Sequence, residues 1–363
     1  METIYHSIEY KTMKQEIPYL NVARVLAIMM VVSLHCLPNI SVYGMDSRFF
    51  VVVLLITRPC VPLFLMVTGV LLLPYRSEDI TGFYKKRISR VAFPLLFWGI
   101  VYSILPYLLG LETVNQILSN LSLVIVTYPK EIGGILWYLY VLIGLYLIIP
   151  FVNPKIFEDR KMLHIYLLVW LIASLVSMLK IFYPQILGMG PSSAFDMLLY
   201  FSGFLGYLFS GYYVHRYFPT QYTLCKNRLL FFILLAGIYI FCMFVIVFII
   251  KVSIIKESKE IYNVITAFLS LPVIIMAGCA FAGLKEWRVN TDGWLYKIIK
   301  QISPLTFGIY LSHMLIHRVF TDRFYQISTS PLIQISVMVT TFIGAYLLTL
   351  LLSKIPYSKY IIG

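Results

Sequence analysis

Charge is scarce in this sequence. Asp, Glu, Lys and Arg make up 12% of its 363 residues, and 60% are hydrophobic. A soluble domain averages about a quarter charged, so an ordinary soluble globular protein is excluded. Acid is scarcer still, with 16 Asp and Glu against 29 Lys and Arg. The resulting net charge of +13 does not point to nucleic acid, because no basic block reads as a patch for it. Cysteine is sparse: Cys36, Cys60, Cys225, Cys242 and Cys279 are scattered, with no CxxC pair. That pattern excludes a disulfide frame or a zinc ribbon and suits small apolar helix residues. The opening "METIYHSIEYKTMKQEIPYL" lacks a basic start, an apolar core and a small-residue cleavage site, so no cleaved signal peptide is expected. Repeats, low-complexity tracts and linkers are absent too, so residues 1–363 read as a single membrane domain.

Long apolar runs are what the sequence does have. Ten spans are expected, at 21–40, 49–73, 91–109, 135–152, 163–183, 196–217, 229–250, 261–283, 304–321 and 331–352. Runs of this length are too long for barrel strands, so the fold class is all-α, a polytopic transmembrane helical bundle in a lipid bilayer. Residues 113–128 are apolar enough to lie in the interface or re-enter the membrane. Nineteen of the 29 Lys and Arg fall in segments on the N-terminal side and eight on the other, which predicts N-in and C-in. Residues 1–17 and 353–363 are then cytoplasmic, and only "KVSIIKESKE" dissents. Pro62, Pro94, Pro106 and Pro272 fall inside expected spans, where kinks could open a cavity.

Against this background each ionisable residue within a span calls for an explanation. In "LNVARVLAIMMVVSLHCLPN", Arg24 and His35 are eleven residues apart. On a helix they share a face, separated by roughly 16 Å along the axis. Arg24 could also be a basic residue snorkelling to headgroups, and His35 a satisfied core histidine. Arg58 lies about ten residues into the second span, where snorkelling is awkward. It should face a cavity or pair with an acid, Asp196 being the best candidate; such a pair could also be purely structural. His313 and His317 are at i and i+4 in "SPLTFGIYLSHMLIHRVF". A metal pair is conceivable, but the metalloprotease pattern needs Glu where Met314 stands. No metal is expected, and a histidine lining a polar cavity is favoured. Arg87 and Arg90 point the same way at the start of the third span, as a pair of guanidinium forks for phosphate or as ordinary positive-inside charge.

Arg24 followed by His35, then Arg87-x-x-Arg90, with "VPLFLMVTG", "LWYLYVLIGLYLIIPF" and "SPLTFGIYLSHMLIH" in support, resemble the acyltransferase-3 family of integral membrane acyltransferases. The likeness covers about residues 18 to 350, and its wording is most similar to the branch that O-acetylates surface polysaccharides. The family often has Asp three residues before the arginine, where this chain has Asn21. If that acid holds the arginine, Asn21 would hold it less strongly. An appended extracytoplasmic esterase-like or transferase domain, carried by some members, is not expected.

The resemblance implies a donor of acetyl-CoA or another acyl-CoA and a carbohydrate or lipid-linked glycan as acceptor. It implies a cell-membrane location, catalytic His35 with Arg24 as its partner, and Arg87 and Arg90 on the donor. His35 could act as base or accept the acyl group itself. Arg58 is the candidate for stabilising the oxyanion, with Trp137 or a backbone amide as others. Asp196 would orient a sugar hydroxyl or balance Arg58; Trp137 and Tyr138 would offer a stacking surface to a sugar. The alternative is a polysaccharide exporter or small-solute transporter, which predicts inverted halves with broken helices; no such symmetry is visible.

Overall fold

The structure is a computed structural model and describes residues 16–38, 48–110, 113–123, 133–182, 203–218 and 227–363. Its helices in chain order are α1 (Pro18–His35), α2 (Arg48–Ile56), α3 (Cys60–Leu72), α4 (Ile80–Leu108), α5 (Val114–Leu123), α6 (Trp137–Ile148), α7 (Lys155–Glu158) and α8 (Arg160–Phe182). They continue with α9 (Leu205–Arg216), α10 (Arg228–Ile255), α11 (Lys259–Ile265), α12 (Leu271–Glu286), α13 (Trp294–Ile302), α14 (Thr306–Ile316), α15 (Pro331–Ser353) and α16 (Lys359–Ile362). Among the described residues there is no strand, as expected where lipid offers the backbone no partners.

Among the described residues seven segments are long and apolar enough to cross a membrane, and they coincide with seven of the ten expected spans. Shorter helices α9, α12 and α14 stand at the other three positions. Part of the expected 196–217 span, Asp196 included, lies outside the described residues. So does the end of the expected interfacial segment; its described part is α5, with Val114 and Leu118 exposed.

The segment from Arg48 to Leu72 is interrupted at Thr57–Pro59. Pro59 and Pro62 have no N–H to donate, so the hydrogen-bond ladder fails there. Side chains cover the freed acceptors: the Thr57 hydroxyl reaches Leu54 O at 3.3 Å, and the Tyr239 hydroxyl donates to Ile56 O at 2.7 Å. Pro94 and Pro106 sit inside α4, which continues through them. Pro272 occupies the first turn of α12, where a missing N–H costs nothing.

Helix α1 is the centre of the bundle, packed by α3, α12, α14 and α15. Helices α3 and α9 pack closely because glycines let their backbones touch. A Cβ on Gly69 would lie 2.0 Å from Leu208 O, and one on Gly211 would lie 2.2 Å from Met66 O. Helix α10 lies outside, with Phe241, Phe244 and Phe248 each exposed. At the end of the bundle where α1 begins, α13 turns Trp294, Leu295 and Ile298 outward, as a helix lying in a membrane interface does.

Candidate functional site

A cavity of about 220 Å³ opens near the start of α1. Arg24 from α1 and Arg87 and Arg90 from α4 all line it. Arg24 and Arg87 are half-buried and Arg90 is exposed. Thr68 from α3, Tyr146 from α6 and Thr306 from α14 add polar groups, and Gly363 borders the rim. The α16 segment is held there by the Trp98 indole, whose Nε1 donates to Ile361 O at 2.9 Å. Three guanidiniums from two helices thus face one space, an arrangement suited to phosphate.

Tyr138 and Tyr310 also line this cavity, whereas His35 does not. The Tyr310 hydroxyl donates to Ile135 O, and its ring meets Tyr138 edge-on with centroids 5.5 Å apart. A file of rings continues from there. Tyr310 and His313 have centroids 6.0 Å apart, and His313 and His35 are 5.3 Å apart. Arg24 and His35 therefore both face α14, as their shared helix face requires. His35 is half-buried and His313 has no exposure. Around His35 the α1 terminus is pinned by the Tyr325 hydroxyl, which donates to Cys36 O. His317 follows one turn after His313; its Nδ1 is 3.0 Å from the Thr321 hydroxyl, which reaches Thr341 at 2.8 Å. Among the described residues no group of three or more His, Cys, Asp or Glu could hold a metal ion.

Arg58 stands in the break between α2 and α3, within electrostatic range of His35, as are His317 and Arg318. Its Nε is buried without a hydrogen-bond partner among the described residues. Asp196, expected as its partner, lies outside the described residues. Trp137 and Tyr138, expected to offer a stacking surface to a sugar, stand among the protein's own rings. Trp137 is half-buried; it stacks on Phe268 at 5.5 Å and 19° and leans on Phe204 at 5.7 Å. Tyr138 is buried and faces the cavity shared with the arginines.

Asn21 makes no contact with Arg24 of the kind its position suggested. Its Nδ2 donates to Glu16 Oε1 at 2.7 Å and to the Tyr296 hydroxyl at 3.1 Å. Its Oδ1 accepts from the Ser303 hydroxyl at 2.8 Å. Glu16 is also paired with Lys300 at 2.6 Å. The Lys300 hydrogen bond holds the Glu16 carboxyl below its ordinary value, against a smaller opposing effect of burial. Asn21 thus ties the start of α1 to α13 and to the approach to α14.

Tyr310 was missed as a site residue in the sequence, although its position was legible. It is three residues before His313, so the two lie on one stripe of α14.

Long apolar helices around a buried polar interior define a multi-pass integral membrane protein. Residues 17–350 match the acyltransferase-3 family, described as an acyltransferase domain. The chain belongs to this family and is an acyltransferase. No curated protein and no solved structure matches it.

Proposed function

We propose that this acyltransferase moves an acyl group, acetyl in the first instance, from acyl-CoA to a hydroxyl of a cell-surface or lipid-linked carbohydrate. The observation that carries the reading is the cavity lined jointly by Arg24, Arg87 and Arg90, from which Tyr310 and His313 lead to His35. The arginines hold the donor's phosphates near water, on the cytoplasmic side of a cell membrane. The donor's thin arm extends inward, and Tyr138 and Tyr310 turn aside to admit the thioester.

His35 removes the acceptor hydroxyl's proton as that oxygen attacks the acyl carbon. A neutral imidazole does this near neutral pH. The carbon–sulfur bond breaks, and His35 returns the proton to the departing sulfur. One O–H and one C–S bond are replaced by one C–O and one S–H bond. Arg58 offsets the charge that develops on the acyl oxygen; its buried N–H, which no described residue accepts, supports this role.

The test is transfer of a labelled acetyl group from acetyl-CoA to a membrane glycan extract by purified protein in lipid. Replacing His35 by Ala should lower transfer by about a hundredfold or more, with the melting temperature little changed. Equal transfer by the two forms would remove His35 from the reaction.

A further inference from the structure

His313 is fully enclosed beside the proposed site, and the reaction as written does not use it. Its Nδ1 lies 2.6 Å from the Tyr310 carbonyl oxygen. A carbonyl can only accept, so Nδ1 carries the proton and, in the neutral ring, Nε2 carries the lone pair. That Nε2 is buried, and no described residue hydrogen-bonds to it. A buried acceptor without a donor is costly. The ring beside it is His35, at a centroid separation of 5.3 Å and a tilt of 46°. Two imidazoles joined N–H to N, with the nitrogens at normal hydrogen-bond distance, have centroids about 5.2 Å apart. The rings therefore already stand at the right separation, and rotation of the less enclosed His35 ring would complete the bond.

We infer that His313 is a positioning residue for His35: its Nε2 accepts the His35 N–H and fixes the tautomer whose other nitrogen is bare toward the reacting hydroxyl. This rests on the acyl-transfer role given to His35. Helix α14 is built to hold that lone pair still. The Tyr310 backbone carbonyl orients the His313 ring. The Tyr102 hydroxyl donates to Leu311 O from α4. When His35 takes up a proton, the same Nε2 faces an imidazolium N–H, a stronger donor than the neutral ring. The bond thus tightens as the acceptor hydroxyl is activated.

The experiment is 15N spectroscopy of histidine-labelled protein in nanodiscs, with His35→Ala assigning the signal, alongside kinetics of His313→Gln and His313→Ala. In the unmodified protein His35 should show one tautomer with a hydrogen-bonded N–H. Gln offers an oxygen acceptor, so His313→Gln should keep that tautomer and most of kcat. His313→Ala should average the two His35 nitrogens and lower kcat at least about tenfold, with KM for acetyl-CoA unchanged within about twofold. A tautomer-averaged His35 in the unmodified protein would overturn the inference, as would spectra and kcat indifferent to His313→Ala. If no acyl transfer is found at all, the proposed function fails, while the nitrogen spectra of the unmodified protein still decide whether the two rings are joined.

Discussion

Arg87 and Arg90 come from one turn of α4 and meet Arg24 of α1 in one cavity. Replacing both by Ala should raise KM for acetyl-CoA about tenfold or more, since each charge-assisted bond is worth about 1.5–3 kcal/mol. Steady-state kinetics with donor and acceptor varied separately check this; a change confined to the acceptor's KM counts against phosphate binding. Asn21 gives a second residue-scale outcome. An Asp there would set a second carboxylate where Asn21 Nδ2 now lies 2.7 Å from Glu16 Oε1. Asn21→Asp should therefore lower the melting temperature, and Glu16→Gln on that background should restore most of it. The clamp is also acid-sensitive. Glu16 is held below the ordinary carboxylate value, so its contribution is present above that value and lost as pH falls through its folded one. One relation within the candidate site was legible at this scale, because eleven residues on a helix return Arg24 and His35 to one face. The stacking of Trp137 on Phe268 and the facing of His35 and His313 were not legible. Contacts between separate helices are set by packing that spacing along one helix does not encode.

At the scale of elements, α3 and α9 bring their backbones together through Gly69 and Gly211. Gly69→Ala would force a Cβ to within 2.0 Å of Leu208 O, a backbone atom that can yield only if a helix moves. Overpacking of this kind costs roughly 1–3 kcal/mol, so the melting temperature in detergent should fall. Gly144→Ala, whose Cβ would meet nothing within 4 Å, should leave it unchanged or slightly raised. The long spans were readable because length and apolar content alone announce them. Helices α9, α12 and α14 are shorter than the spans expected there. Much of each is buried against neighbours, so apolarity reported burial in the bundle and helix length did not follow from it. The Thr57–Pro59 break was visible only as prolines, and its capping by Tyr239 comes from a helix far along the chain.

For the whole molecule, Arg24 near the start of α1 and Gly363 after α16 border the same cavity, so the two regions belong at one face of the bundle. Seven crossings would separate them, whereas an even count keeps them together; α9, α12 and α14 would complete ten. Single cysteines at Arg288 and Lys354, in a chain stripped of its native cysteines, should label from the same side of sealed vesicles, and one at Ser328 from the other. Labelling of Arg288→Cys and Lys354→Cys from opposite sides would refute ten crossings. The tyrosine pair between the arginines and the histidines has a consequence at this scale as well. A catalyst that works across a bilayer must hand over a small group without becoming a leak, since any continuous water thread would short the ion gradients that the membrane stores. The phenol rings of Tyr138 and Tyr310 line the cavity's inner wall, where such a thread would run, so these two side chains should keep the resting protein tight to protons and salt.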